Sequence, residues 1–439
     1  MATLEGAVGS EQAPDMAAAQ DAAAKTGLRY PGWGIVAAGF VLFFFAYAAS
    51  STMPFIYDPV MKEFGWTKTQ ATLIYTYQSG TGALLALFVI GPAIEKLGLK
   101  TVQFLMLASV ATGMAAFGLV NGLATYYLAG FLIGVGQGTT LITIKVLVSR
   151  WFMRNVGLAG SVAIAGSSLG GMVFPQLVTH FMPEYGWRLT FAAMSIGVYV
   201  VCLPLCLFLK MDPSEEDVLP EALPTAKGAN AAEVLRQADL DMTFRQVLRS
   251  PMFLTIMAGI ILIAAVDQGL FQHTVLYLTH DAKLSPTLVA SAVSLTFTIG
   301  FLAKFVAGSF FDRLSMKGVA FWYFLVAIAT ALVFPIQGFL SVMVFAVARG
   351  LVHGGLVSES PVIAKHVYGP KLMNRVLPVL NGFFALGSSI GPVLLALIAD
   401  KFGYKTGFLV FTIIPCVAAL LIWQVTPLYR NRLRAAVGL

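Results

Sequence analysis

Three charged residues stand inside otherwise apolar stretches: Asp267 in AAVDQG, Lys304 in FLAKFVAG and Arg349 in FAVARGLVHG. A charge in so apolar a setting is costly unless it meets a water-filled cavity or an opposite charge, so each is a candidate for handling a substrate or a proton. Asp267 is the natural proton carrier, because protonation of a buried carboxylate responds to whatever cation stands beside it. Two readings of Asp267 and Lys304 are open. In one they form a switch, with a substrate anion competing for the lysine while the released aspartate takes up a proton; in the other they are a fixed ion pair between helices. Arg349 is either a second anion contact or the partner of a carboxylate, Asp267 or Glu359. His353, one helical turn from Arg349 on the same face, and His273 are candidate proton relays because an imidazole naturally titrates near working pH, set against plain packing roles. Tyr47, Tyr75, Tyr77, Gln78, Gln137, Thr139, Asn381 and Ser388 could shape a pocket. Most of these are expected to make ordinary interhelical hydrogen bonds, with Tyr47, Tyr75, Gln137 and Asn381 assigned as substrate contacts.

The elements that must hold these residues are membrane helices. With 439 residues, 58% hydrophobic and 11% charged, the chain has too little polar surface to cover a soluble globule. Apolar stretches begin near Trp33, Gln70, Thr101, Thr125, Val156, Leu189, Phe253, Leu288, Val319, Leu340, Val376 and Thr406. Each runs about 19 to 26 residues, the length of a spanning helix, and none alternates with the period of two that a barrel strand needs. An all-α membrane protein with twelve transmembrane helices in two pseudo-symmetric six-helix bundles is therefore expected. Its parts are a disordered N-terminal tail (1–29), a first bundle (30–209), a linker (210–251), a second bundle (252–427) and a C-terminal tail (428–439). The linker includes two candidate surface helices, Ala231 to Gln237 and a segment from Phe244. Lysines and arginines crowd the loops on the side of the two tails, which places both termini in the cytoplasm.

Internal echoes point to duplication. Gly91, Glu95, Lys96 and Lys100 follow the second stretch, and Gly308, Asp312, Arg313 and Lys317 follow the eighth at matching spacing. GSSLGG from Gly166 matches GSSIGP from Gly387, and each is followed by an aromatic-glycine turn, Tyr185-Gly186-Trp187-Arg188 and Phe402-Gly403-Tyr404-Lys405.

Several chemistries find no support. Cys202, Cys206 and Cys416 lie in apolar stretches without metal-ligand spacing, and they read as packing residues. Gly134-Val-Gly136-Gln-Gly138 lacks the lysine and the preceding strand of a phosphate loop, so nucleotide binding is rejected and close helix packing is expected. The net charge of +7 is spread over short loops as a topology signal, so no nucleic acid is expected. No cofactor, metal or catalytic constellation is called for, and the chain is not expected to be an enzyme.

Two six-helix halves with G-x-x-x-[DE]-[KR]-x-x-x-K between their second and third spans resemble the major facilitator superfamily of secondary transporters. Within it, Tyr30-Pro-Gly-Trp33-Gly34, Arg154-Asn-Val-Gly157-Leu-Ala159-Gly160 onward to Gly166, and Gln272-His273-Thr-Val-Leu-Tyr277 resemble the branch of monocarboxylate transporters and oxalate/formate antiporters. The resemblance implies a carboxylate-binding cation in the eighth helix, four residues before a glycine, and Lys304 with Gly308 fits with lysine in place of arginine. It places Gly300 where the animal transporters carry an aspartate, and it lines the cavity with the first, fourth, seventh and tenth helices. The expected function is secondary transport of a small organic anion, a mono- or dicarboxylate, by alternating access with proton symport in the inner or plasma membrane. The expected working unit is a monomer in the lipid bilayer. The alternatives are an anion exchanger and a proton-driven exporter of amphipathic compounds.

Overall fold

A computed structural model describes residues 30–152, 156–211 and 243–436, apart from the side chains of 426–436 and of scattered helical residues, several of them between 365 and 374. The candidate helix at 231–237 lies outside them, as do the N-terminal tail and most of the linker. α1 (Gly32–Ala46) bends at Tyr47 into α2 (Ala48–Thr52), and α3 (Tyr57–Phe64) leads to α4 (Lys68–Phe88), α5 (Ile90–Leu97) and α6 (Leu99–Ala115). α7 (Leu123–Trp151) and α8 (Val156–Gly197) follow, with α9 (Leu203–Phe208) closing the first half. The short α10 (Phe244–Arg249), opened by a Thr243/Gln246 capping box, precedes α11 (Pro251–Leu276), α12 (Pro286–Ala331) and α13 (Phe339–Ala436). Helix thus continues through Ala436, into the stretch expected as a tail.

The described residues contain nine helices long and apolar enough to cross a bilayer, and the pair Lys68–Phe88 and Ile90–Leu97, bent by 60°, adds another. Two of the nine, Ala159–Phe208 and Arg375–Val425, run to 50 and 51 residues, more than twice what one crossing needs. Both turn back at a glycine in the left-handed region, Gly186 (φ 72°) and Gly403 (φ 81°), where a side chain would be strained. With those two turns the tally is consistent with twelve crossings. The aromatic-glycine echo of the sequence is therefore the hairpin between the last two spans of each half.

The other echo is a packing contact. A Cβ on Gly166 or Gly170 would stand 1.9 or 2.7 Å from the carbonyl oxygen of Phe40 or Phe44 on α1. In the second half, a Cβ on Gly387 or Gly391 would stand 2.3 or 1.9 Å from the oxygen of Ile261 or Ala265 on α11. Two small residues one turn apart let the helix backbones touch, which is how membrane helices gain packing without a hydrophobic driving force between them. Gly134 and Gly136 do the same work against Gln78 and Met106 main-chain oxygens, as expected for a packing role.

The halves meet along α4 with α13 and along α8 with α12. At the end of the molecule where α3 joins α4, Asp400 accepts from the Lys68 and Thr69 main-chain N–H groups at 3.3 and 3.0 Å and from the Thr69 hydroxyl at 2.6 Å. Tyr57 also donates to Gln272 there. Nearer the middle, Thr76 donates to the Ser389 main-chain oxygen at 2.6 Å and Gln176 to Ser294 at 3.1 Å. Cys202 and Cys206 are buried free thiols and Cys416 is half-buried.

Candidate functional site

α11 starts cleanly, with Ser250 accepting from the Phe253 N–H at 3.2 Å and Pro251 in the first turn, and it carries Asp267 to mid-span. The four-residue spacing on α13 turns Arg349 and His353 to the same face, and that face looks at Asp267. Arg349 Nη2 reaches Asp267 Oδ1 at 2.7 Å and also donates to the Asp267 main-chain oxygen at 2.6 Å. His353 Nδ1 donates to the same carboxylate at 3.0 Å, and Gln268 Nε2 donates to Oδ2 at 2.9 Å. Asp267 is fully buried and Arg349 nearly so. One carboxylate thus gathers a guanidinium, an imidazole and an amide, which is how a buried charge is tolerated. The Arg349 Nε and Nη1 atoms are buried without a partner, and Arg349 is among the residues lining a small cavity with Phe271, Thr274, Thr296 and Phe345.

The cluster reaches across to the first half. Tyr75 on α4 donates to Gln268 Oε1 at 2.9 Å, linking it to Asp267 through one amide. In the first half Gln137 accepts from Ser50 and Gln78 and donates to the Ala46 main-chain oxygen at 2.9 Å. The offset that carries Phe40 to Ile261 and Gly166 to Gly387 also carries Ala46 to Asp267. Each half therefore has a polar side chain of its fourth span donating to the same main-chain carbonyl of its first span, a neutral amide in one and Arg349 in the other.

Several sequence expectations are resolved by this geometry. The Asp267–Lys304 couple is corrected: no ion pair joins them, because the α12 face bearing Lys304 packs on α8, where Lys304 Nζ donates to Ser168 Oγ at 3.0 Å. Of the two roles open to Arg349, the carboxylate pairing is the one present here, with Asp267 and not Glu359. Glu359 Oε1 instead accepts from Tyr323 at 3.1 Å. His273 stands apart from Asp267. Its Nε2 donates to the Pro392 main-chain oxygen at 2.8 Å and its Nδ1 accepts from Tyr404 at 2.8 Å, bonds that tie α11 to the last two spans. Tyr47 sits at the bend of the first span beside Phe43, ring centroids 5.3 Å apart, and Asn381 is exposed on α13.

The paired loops are turned alike. Glu95, Lys96 and Lys100 are exposed near a bend at Gly98 (φ 78°), and Gly91 is exposed one turn before Glu95. Arg313 and Lys317 are exposed around Ser315 (φ 52°), and Gly308 is half-buried before them; of Asp312 only the backbone is described. Sequence reasoning missed Gln268, Ser50, Tyr323 and Asp400. Gln268 had a signal in standing next to Asp267, whereas Asp400 at the end of a span looks like any interfacial acid.

The sequence profile of the Major Facilitator Superfamily matches residues 38–340 and 263–436. Monocarboxylate transporter 12 of Rattus norvegicus is 23% identical over 323 residues, 68% of this chain and 66% of that protein. The MFS-type transporter opdF of Penicillium oxalicum is 36% identical over 70 residues, 15% of this chain and 16% of that protein. The chain thus spans less than two thirds of the length of these relatives. Among solved structures, a bacterial homologue of the human lysosomal transporter Spinster, inward-facing and unoccupied, superposes with a TM-score of 0.74 at 13% identity, covering 92% of this chain and 99% of that one. A POT family transporter in complex with 5-aminolevulinic acid gives 0.72 at 15% identity, covering 92% and 98%. The chain belongs to the Major Facilitator Superfamily: it is a membrane transporter, not an enzyme, and is related to the monocarboxylate transporter branch.

Proposed function

We propose that this transporter moves a small organic anion, a mono- or dicarboxylate, together with a proton. The observation that carries the reading is the buried Arg349, one of whose three guanidinium nitrogens, Nη2, is taken by Asp267 while Nε and Nη1 have no partner. Buried donors left without acceptors suit an anionic guest, and a guanidinium suits a carboxylate. Lys304, Tyr47, Tyr75, Gln137 and Asn381 complete the proposed pocket, with Lys304 as a second cation on the interface between halves. Likeness to monocarboxylate transporters in sequence supports the choice of anion.

Coupling follows from charge. With Asp267 ionised, the Arg349–Asp267 pair is neutral, and an anion entering alone would leave net negative charge buried. A proton taken up by Asp267, with His353 at 3.0 Å as the relay, frees Arg349 to hold the carboxylate. The loaded site is again neutral, so the halves can rock about it without moving net charge through a low-dielectric core. In this scheme the end clasped by Asp400 and Tyr57 is the outer one, the termini are cytoplasmic, the membrane is the cell membrane and a monomer suffices. The residues around Gly91–Lys100 and Gly308–Lys317 set the balance between the two states.

The test is uptake of a panel of radiolabelled carboxylates into proteoliposomes with and without an inward proton gradient. Uptake stimulated by the gradient, lost in Arg349→Ala and much reduced in Lys304→Ala, is the expected result. Transport that survives Asp267→Asn as pure exchange would place the protein among the anion exchangers. If no carboxylate moves, the organic-anion reading fails.

A further inference from the structure

Glu359 lies outside the cluster used above. It is fully buried on α13, further along than His353, and faces the part of α12 after Ser315. Its Oε1 accepts from the Tyr323 hydroxyl at 3.1 Å, and its Oε2 has no partner. The wall around it is tight: the Trp322 indole donates to the Val352 main-chain oxygen at 3.0 Å, and a Cβ on Gly355 would stand 2.1 Å from the Trp322 ring. Among the described residues no cation pairs with it, since Arg349 and His353 on its own helix are committed to Asp267. An ionised carboxylate here is a buried charge with no counter-ion among the described residues, an arrangement relieved by taking up a proton.

We infer that Glu359 and Tyr323 form a second proton-binding site, in which Glu359 is a neutral carboxylic acid in the conformation described and Oε2 is the atom through which the proton exchanges. Tyr323 fixes the carboxyl through Oε1 and leaves Oε2 to carry the proton. Movement of α12 against α13 that admits water to Oε2 gives the proton an acceptor, and the ionised carboxylate a solvent. The transporter then holds two proton sites of opposite surroundings, Asp267 beside Arg349 and His353, and Glu359 with no cation beside it among the described residues.

This inference deepens the proton-coupled reading, but its test needs no substrate, so each can fail without the other. Infrared spectra of the full chain in lipid nanodiscs at neutral pH are compared for the wild type, Glu359→Gln and Tyr323→Phe. The expected result is a protonated-carboxyl absorption in the wild type that is lost in Glu359→Gln and shifted in Tyr323→Phe, where its hydrogen bond is gone. An undiminished absorption in Glu359→Gln overturns the inference. Should that variant fail to fold, Tyr323→Phe decides: a shifted band supports the site and an unmoved one rejects it.

Discussion

Arg349 donates to Asp267 twice, from Nη2 to Oδ1 at 2.7 Å and to the main-chain oxygen at 2.6 Å. The second bond holds α11 against α13 whatever the protonation of the carboxyl group, so the pair can exchange protons without parting the helices. Removing one member of a buried pair leaves an uncompensated charge, at a cost of about 3–5 kcal/mol. Arg349→Ala is accordingly expected to lower the thermal unfolding midpoint of the purified protein sharply. Arg349→Gln combined with Asp267→Asn should recover much of the loss, since no charge is then orphaned. A double variant whose loss equals the sum of the separate Arg349→Gln and Asp267→Asn losses would show that the pair contributes no coupling.

Much of this arrangement was legible in the sequence, and the limits have physical causes. Asp267, Arg349 and His353 stood out because a charge in an apolar stretch has few alternatives to function, and the spacing on α13 put two of them on one face. The glycine echoes were legible because turn and close-approach positions restrict residue type, as at Gly186 and Gly403. Which cation Asp267 takes was not legible. Lys304 and Arg349 sit in equally apolar stretches, and the choice depends on which faces of α12 and α13 turn toward α11. Periodicity within one helix carries no such information about its neighbour.

Ser315 occupies the left-handed region (φ 52°, ψ −134°) at the place in its loop where the first half has Gly98 (φ 78°, ψ 154°). Such strain in a residue with a side chain is on the order of 1–3 kcal/mol. Ser315→Gly is expected to raise the unfolding midpoint by a few degrees. Gly98→Ala should lower it, although a Cβ there meets nothing within 4 Å, because the penalty lies in the backbone. A fall in the midpoint of Ser315→Gly would show that side-chain contacts of the serine outweigh its strain.

Glu63 supplies a pH signature outside the spans. It accepts from Arg188 Nη1 and Trp187 Nε1, both at 2.8 Å, and the bond from Arg188 holds its carboxyl below the usual glutamate range. A carboxylate whose folded pKa is depressed adds stability that is present above its unfolded pKa, near 4.3, and is lost as pH falls through the folded value. Acid should therefore weaken the clasp between α3 and the turn at Gly186, and Glu63→Gln should flatten that part of the stability profile. Thermal unfolding followed from pH 6 downward in both proteins reads the difference, which will be small because the pair is solvent-exposed.

Asp400 is the residue whose removal should change shape more than stability. It belongs to the second half, yet it caps the first turn of α4 in the first half, accepting from two main-chain N–H groups and a hydroxyl. Nearby, Lys68 Nζ lies over the Tyr404 ring at 4.6 Å, a further contact across the same seam. Rocking of the halves that opens this end must break these contacts, so their free energy biases the equilibrium toward the closed form. A helix cap of this kind contributes about 1 kcal/mol, which corresponds to a roughly fivefold population shift. Spin labels at Lys62 and His280, one on each half, report the opening as a distance distribution. Asp400→Ala is expected to enlarge the long-distance population about fivefold, and Asp400→Asn less, since the amide oxygen can still accept but lacks the charge that suits a helix N-terminus. High salt should reproduce part of the effect in the wild type, because the charged contribution is exposed to screening. An unchanged distribution in Asp400→Ala would mean that the cap orders α4 without setting which face of the transporter is closed.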